Sequence, residues 1–555
     1  MFIGKKPDKQ APCQNRCPAG IDIPRYIRYA LQGRYADALK VIREKIPFPS
    51  ICGHVCLGPC QVACHEHHAT QPVAINAIKR FISEKAAAIP PPRVSKSTGK
   101  RVAIIGSGPA GLTAAFYLTI LGHAVVVFEA LPKAGGMMRV GIPKYRLPDD
   151  VLEQEIENVC SIGFEIRTGT KVDSAERLLE DGFEAVLVAV GAHSDARLKI
   201  PGSDLEGVLV GSEFLKTVKL GHAVRIGKTA AIIGGGNVAF DCARVALRLG
   251  WEEVHIFCLE CGDDMRATPE EVQAGTEEGI ILHPSHTICR ILGEQGHVAG
   301  VEVCEIESFC FGEQGEVQIQ AKPELMRTLA ADTFIFAVGQ RPDLGLINGM
   351  RNAAGAPSGR LEVDPETLAT AKPGLFVAGD AATGTVSVIA AIAAGRRAAA
   401  SIDRFLGGTG KIEEIPASAE MQPPAYPRGR PVGLRTTMPS LSPDKRTRSF
   451  EEVDLGFDEK MTLREANRCL WCDSPIRVNP ELCVGCNRCA LTCSIRFCGG
   501  SNPRFAKIKV IPPDRSKTVG EPEIIFSAEC DACGSCVRAC TYGCLTRRPA
   551  ERGEK

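Results

Sequence analysis

Residues 101–130 read RVAIIGSGPAGLTAAFYLTILGHAVVVFEA. The order is an apolar strand, a glycine turn, a helix of small and apolar residues, and a second apolar strand. Gly106, Gly108 and Gly111 supply G-x-G-x-x-G at the strand-to-helix turn, and Pro109 and Ala110 open the helix. In this pattern the first glycine permits the tight turn, the second lets backbone approach a pyrophosphate, and the third lets helix pack on strand. The pyrophosphate rests on the helix N-terminus, where free N–H groups favour an anion. Glu129 ends the second strand, where a carboxylate accepts from ribose hydroxyls. The stretch predicts a dinucleotide-binding α/β unit.

A second copy, TAAIIGGGNVAFDCARVALRLGWEEVHIFCLE, spans residues 229–260. Gly234, Gly236 and Ala239 give G-x-G-x-x-A, with Gly235, Asn237 and Val238 between them and Glu260 at the strand end. Two such units predict FAD on the first and a nicotinamide nucleotide on the second. Residues 187–202 and 334–343 are apolar strands that close on Gly191 and Gly339, as at domain crossovers. Residues 375–402 place Gly379 and Asp380 before an Ala-rich helix. Asp380 there is positioned to hold a flavin ribityl chain, although such a helix also serves plain close packing.

The chain has 555 residues, a formal net charge of +1 and 25 cysteines. Its length predicts three or four domains, since a single core stops growing near about 250–300 residues. The balanced charge argues against a general nucleic-acid binder. No apolar run reaches the length of a membrane span, and the first residues lack the apolar core of a secretory signal. A cytoplasmic location follows as the expectation, and disulfides are rare there. The cysteines therefore point to metal.

Their distribution supports that. Six fall in the first 64 residues, twelve after residue 468, and seven between. The seven read as ordinary buried thiols, although Cys258 and Cys261 form a C-x-x-C. Cys483, Cys486, Cys489 and Cys493 follow C-x2-C-x2-C-x3-C, and Cys530, Cys533, Cys536 and Cys540 repeat it. This is the spacing of bacterial two-cluster ferredoxins, in which the fourth cysteine of each run ligates the other cluster. One 4Fe–4S cluster is then expected on Cys483, Cys486, Cys489 and Cys540, and the second on Cys530, Cys533, Cys536 and Cys493. Ser494 and Thr541 stand where a proline is usual. A zinc ribbon is the competing reading. The C-terminal run is also similar to electron-transfer ferredoxins that accompany tungsten or molybdenum aldehyde oxidoreductases. Cys498 and Cys544 have no assignment.

Residues 13–407 resemble the small subunit of bacterial glutamate synthase and the matching part of dihydropyrimidine dehydrogenase. Carrying the likeness are both glycine turns, Cys13-x3-Cys17-Pro18, and GGMMRVGIPKYRLP at 135–148, which includes Gly135, Gly136, Arg139 and Gly141. The resemblance implies FAD, NADPH and an N-terminal domain with two 4Fe–4S clusters. Three departures stand out. The family's R-C-L-x-C opening is missing before Cys13, but EANRCLWC occurs at 465–472. Cys469 and Cys472 are expected to complete a cluster with Cys13 and Cys64, in the same chain or across a dimer. The alternative groups them with Cys498 and Cys544. The second N-terminal cluster would use Cys17, Cys56 and Cys60, yet the family's Glu or Gln ligand aligns with Lys79, which cannot ligate when protonated. Cys52 substitutes, or the cluster is open-sited or absent. Finally, Leu259 and Glu260 occupy the place of two arginines that meet the 2′-phosphate in NADPH-using relatives. A carboxylate there suits free ribose hydroxyls, so NAD(H) is expected over NADP(H), unless Arg266 reaches the phosphate from elsewhere.

The expected architecture is multidomain α/β, with dinucleotide domains of the disulfide-reductase type. A helical iron–sulfur domain covers 1–85 and a linker 86–100. An FAD domain covers 101–225 and 331–407, with an NAD(P) domain inserted at 226–330. A Pro-rich stretch at 408–474, carrying Cys469 and Cys472, reads as a tether or a docking strap. A ferredoxin-like α+β domain covers 475–555. The expected function is an NAD(P)H:acceptor oxidoreductase subunit that exchanges a hydride between nucleotide and FAD and passes single electrons through clusters. No catalytic acid or nucleophile is called for. The expected partner is a larger redox subunit or ferredoxin: an aldehyde or 2-oxoacid oxidoreductase, or a glutamate synthase large subunit. A passive electron-transfer subunit and an electron-bifurcating enzyme are the alternatives.

Overall fold

The computed structural model describes residues 2–3, 10–68, 71–86, 89–311, 317–347, 363–412, 433–474, 476–512, 522–527 and 529–547. The chain divides into two compact units: residues 1–90, 414–439 and 456–555 form one, and 91–413 with 440–455 form the other.

The second unit holds both dinucleotide domains. In the first domain five parallel strands run in the spatial order Leu375–Val377, Ala185–Val188, Arg101–Ile105, Ala124–Phe128 and Glu165–Arg167. The inner strands are largely apolar on both faces, as parallel sheets covered on each side require, whereas the edge strand Glu165–Arg167 carries charge and is mostly exposed. Helix Pro109–Ile120 leaves the glycine turn and packs on helix Val388–Phe405. That contact is backbone-close: a Cβ on Gly395 would lie 2.2 Å from the Ala110 carbonyl oxygen.

The nucleotide domain has its own parallel sheet, ordered Ile281–His283, Glu253–Phe257, Thr229–Ile233, Thr333–Phe336 and Val208–Val210. Here the structure redraws an expected boundary. Val208–Val210 and Thr333–Phe336 were assigned to the FAD domain, but both hydrogen-bond into the nucleotide sheet. An antiparallel sheet built on His286–Glu294 and His297–Phe311 packs beside it, and Ile291, Val301 and Phe334 share one core.

The Pro-rich stretch is more than a tether where it is described. Residues 440–455 belong to the second unit. Val453 is buried in the nucleotide-domain core and donates its N–H to the Tyr145 carbonyl at 3.0 Å. Arg446 pairs with Glu277 at 3.0 Å. Residues 413–432 of the same stretch lie outside the described residues.

The first unit joins the two cysteine-rich ends. Short helices dominate its N-terminal part: Pro12–Arg16, Ile23–Leu31, Tyr35–Arg43, Pro49–Val55, Pro59–Val62 and Ile75–Lys85. Four of them carry proline in the first turn, where its missing N–H costs nothing. The expected domains 1–85 and 475–555 are not separate here. Strand Phe2–Ile3 pairs with Ile476–Val478, which pairs with Leu545–Arg547. Helix Glu459–Ala466 packs on helices Ile23–Leu31 and Ile75–Lys85.

Gly395→Val tests the helix contact under the first glycine turn. Forcing a side chain against the Ala110 carbonyl is expected to lower unfolding free energy by about 1–3 kcal/mol and to release flavin on dilution. Unchanged thermal unfolding would count against the contact.

Candidate cofactor and cluster sites

The first glycine turn is built for a bound backbone-contacting anion. Gly106 has φ +102°, and a Cβ on it would stand 2.5 Å from the Ala189 carbonyl. A Cβ on Gly111 would stand 2.0 Å from the Gly106 carbonyl. Gly108 caps helix Pro109–Ile120 and leaves its first N–H groups directed outward. Gly135 and Gly136 close over this turn, Gly136 so tightly that its Cβ would lie 2.7 Å from Gly108 Cα. Glu129 accepts from Ser107 N–H at 3.0 Å and from Leu131 N–H at 2.7 Å, so the turn itself fixes its carboxylate. Arg139 is committed to Glu153, donating at 2.8 and 2.9 Å. Gly141 abuts Met137, and Gly191 lies in the left-handed region beside His193. Gly379, with φ +69°, approaches Ala110 and caps the turn that begins at Asp380. Burial pushes the Asp380 carboxyl up to about 6, against the opposing pull of the Val386 N–H.

The second turn repeats the device. A Cβ on Gly234 would meet the Ala337 carbonyl at 2.2 Å, and Gly236 caps helix Asn237–Leu249. Ala239 is fully buried, Asn237 Oδ1 accepts from Thr268 N–H at 2.9 Å, and Val238 packs on the core. Gly339 has φ +108° with open space around it. Glu260 lies over Gly235, whose Cβ would be 2.5 Å from its Oε2. Arg266, 59% exposed, reaches back to Glu260 at 3.0 Å. The carboxylate read as a bare anion is therefore neutralised by a guanidinium that stands at the mouth of the turn. Cys258 and Cys261 do not form a disulfide; burial holds the Cys258 thiol up at about 12, with Glu260 and Cys261 adding to it.

In the other unit the cysteines fall into four neighbouring sets. Cys13, Cys64, Cys469 and Cys472 line one recess of about 370 Å³, together with Pro24, Ile27 and Val73. The cysteines of both ends thus meet within one chain. Burial pushes the Cys13 thiol well up, and Cys472, Cys469 and Cys64 push it further. The loop that carries Cys469 and Cys472 is held by buried arginines. Arg547 donates to the carbonyls of Leu470, at 2.8 Å, and Trp471. Arg538 donates to those of Asn467 and Cys469 at 2.9 and 3.0 Å. Arg28 pairs with Asp473 at 2.8 Å.

Cys483, Cys486, Cys489 and Cys540 line a second recess, of about 350 Å³. Cys544 joins them, its thiol raised to about 12 by burial and by Cys483 and Cys540. Cys530, Cys533, Cys536 and Cys493 form the third set: burial raises Cys536, and the other three thiols raise it further. Helix Arg488–Cys498 explains the crossed membership, because it carries Cys489 into one set and Cys493 into the next a single turn later. Backbone N–H groups point at sulfur in both sets, from Leu545 to Cys540 at 3.4 Å and from Lys507 to Cys493 at 3.2 Å. The fourth set comprises Cys17, Cys56 and Cys60 around the buried Lys79, with Cys52 also within its electrostatic reach. Cys498 is exposed and bonds the Ser494 carbonyl at 2.9 Å, apart from Cys469 and Cys472.

The sets adjoin in sequence. Tyr26 is buried with Cys60, Cys13, Cys17 and Cys469 all in electrostatic reach. Cys472 Sγ lies 3.8 Å from the Cys533 carbonyl oxygen. Among the described residues no three His, Cys, Asp or Glu side chains converge as ligands of a single metal ion would; the thiols stand around recesses instead. No helix among the described residues is long and apolar enough to cross a membrane.

The sequence names Cys52 as a substitute ligand and Arg266 as an alternative phosphate partner, but it gives no sign of the arginines behind Cys469 and Cys472, and it places Cys544 only as an alternative partner of those two cysteines rather than beside Cys540. Cys544 follows Cys540 at the same three-residue interval that separates Cys536 from Cys540, which was the available signal.

Comparison with known proteins places the N-terminal helices and the dinucleotide domains in known families. The model of the pyridine nucleotide-disulphide oxidoreductases matches residues 100–395, and that of dihydropyrimidine dehydrogenase domain II, 4Fe-4S cluster, matches residues 8–89. The chain is 36% identical to the NADP(+)-dependent formate dehydrogenase subunit beta of Moorella thermoacetica, over 84% of this chain and 71% of that one. It is 34% identical to the NADPH-Fe(3+) oxidoreductase subunit beta of Geobacter sulfurreducens, over 83% and 75%. It is 34% identical to the glutamate synthase [NADPH] small chain of Mycobacterium tuberculosis, over 75% and 88%. These relatives overturn the expected preference for NAD(H): all three are named for NADP+ or NADPH. The expectation gave Glu260 more weight than its alternative, Arg266, whose guanidinium pairs with that carboxylate.

Crossed membership has a direct check. Cys493→Ala is expected to abolish the cluster signal that Cys533→Ala abolishes, and to spare the one lost in Cys486→Ala. Loss of the Cys486-dependent signal instead would refute the assignment.

Proposed function

Because the chain belongs to the pyridine nucleotide-disulphide oxidoreductase family, we propose that it is the nucleotide-handling subunit of a redox complex, coupling NADP(H) and FAD to a series of 4Fe–4S clusters. The observation that carries this reading is the coexistence of two glycine-turn dinucleotide sites with four adjoining cysteine sets in one chain. The glycine cradles fit dinucleotides, because each removes a Cβ that would occupy backbone or pyrophosphate space. The cysteine sets fit clusters, because buried thiols can be deprotonated together only beside metal charge.

The residues divide the work. Gly106, Gly108 and Gly111, with the N-terminus of helix Pro109–Ile120, hold the flavin pyrophosphate. Glu129, oriented by Ser107 and Leu131, presents its remaining lone pairs to the ribose. Asp380 sits half-buried at a turn over Ala110 and accepts from the ribityl hydroxyls. Gly234, Gly235 and Gly236 hold the second pyrophosphate, and Arg266 swings from Glu260 to a 2′-phosphate. When bound, nucleotide and flavin exchange a hydride, and the clusters carry its two electrons singly. The cysteine sets lie in the order Cys17, Cys13, Cys533 and Cys483, naming each by one member. The last set opens outward: Cys486 is exposed, and Leu482, Val484 and Tyr542 form an exposed apolar rim. A ferredoxin-type partner or the larger subunit docks there to give or take electrons. The C-terminal segment acts as a two-cluster ferredoxin domain.

Anaerobic addition of NADPH to the holoprotein is expected to bleach the flavin and then reduce the clusters. An unbleached flavin would mean a passive subunit. In steady state, Arg266→Ala is expected to lower kcat/KM for NADPH roughly five- to tenfold, the loss of one charge-assisted contact, and to leave NADH little changed. Equal losses with both nucleotides would refute the role of Arg266.

A further inference from the structure

Lys79 is 4% exposed, on the face of helix Ile75–Lys85 that packs against helix Pro49–Val55. The two helices touch at backbone distance: a Cβ on Gly53 would lie 2.7 Å from Arg80 Cα. That approach brings Cys52, fully buried, and Cys56 within electrostatic reach of Lys79, as are Cys60 of helix Pro59–Val62 and Cys17 at the end of helix Pro12–Arg16. The ammonium donates to Asn76 Oδ1 at 3.2 Å, and Asn76 in turn donates to the Cys56 carbonyl at 2.7 Å. A lone buried cation is costly, and burying it beside one carboxamide oxygen does not offset that cost. Four thiols disposed around it supply the missing negative charge only as thiolates, and four thiolates side by side need metal between them.

We propose that the fourth set is an all-cysteine 4Fe–4S site held by Cys17, Cys52, Cys56 and Cys60, with Lys79 not a ligand but a fixed counter-cation that holds the cluster's reduction potential up. An oxidised cube with four thiolate ligands is a dianion, and its reduction adds one electron to that charge. An ammonium fixed in the same low-dielectric pocket favours the more negative, reduced form. The site then sits at one end of the series, beside Tyr26 and the Cys13 set, as an electron-accepting terminus. This inference rests on the reading of the cysteine sets as cluster sites.

Iron analysis and EPR-monitored redox titration of the anaerobic holoprotein test it. The wild type is expected to hold about sixteen irons per flavin, four cubes of four. Cys52→Ala should lose about four of them and one EPR signal. Lys79→Met, which removes the charge and keeps the bulk, should retain all the iron and move the midpoint of that same signal to more negative potential. About twelve irons in the wild type, full iron in Cys52→Ala, or an unmoved midpoint in Lys79→Met would each overturn the proposal. Bleaching of the wild-type flavin by NADPH on the same preparation reports separately on the function this rests on: bleaching with only twelve irons sinks the fourth site alone.

Discussion

Four buried thiols drawn from the two ends of the chain set the terms for the cysteine-rich unit. Cys13 and Cys64 come from the N-terminal helices, Cys469 and Cys472 from a loop more than 400 residues later. Left alone, these groups repel as thiolates and stay protonated as thiols: burial and their neighbours hold Cys13 and Cys472 far above the usual thiol range. Metal charge removes that penalty, and ligand deprotonation then becomes part of folding. The surrounding arginines fit the same purpose. Arg547, Arg538 and Arg28 bond the carbonyls and the carboxylate on the Cys469–Asp473 loop, so the loop is positioned by groups that are not themselves ligands. Two other sets adjoin this one, through Tyr26 on one side and the Cys533 carbonyl on the other.

The arrangement also explains how one chain groups so many cysteines. Adjacent sets share elements. Helix Arg488–Cys498 serves two of them through Cys489 and Cys493, and Cys472 touches the backbone of Cys533. In the other unit the same economy appears in glycine. Both turns exclude a Cβ by carbonyl oxygens, those of Ala189 and Ala337, which follow the ends of the directly neighbouring strands.

Much of this was legible in sequence where spacing encodes geometry. The two glycine turns and the crossed grouping of the C-terminal cysteines were read from residue intervals, and the pairing of Cys469 and Cys472 with Cys13 and Cys64 from a family resemblance; the structure places each of these groups of residues together. Partnerships across irregular backbone were not legible. Glu260 and Arg266 are joined by a turn with no periodicity, so the carboxylate looked bare and pointed to the wrong nucleotide. Val208–Val210 and Thr333–Phe336 are apolar strands of ordinary pattern, and only their hydrogen bonds reveal that they belong to the nucleotide sheet. Lys79 aligned with a ligand position and looked like a defect. Its surroundings, thiols from three different helices, exist only once the helices pack at Gly53.

Whether the two ends of the chain close one cluster is decided by a double-mutant comparison of Cys13→Ala and Cys472→Ala, read by iron content and EPR. Two ligands of one cube are not additive. Each single variant and the double variant should lose the same signal and the same iron, about four atoms per flavin. Separate signals lost in the two single variants, with about eight irons lost in the double, would contradict the account.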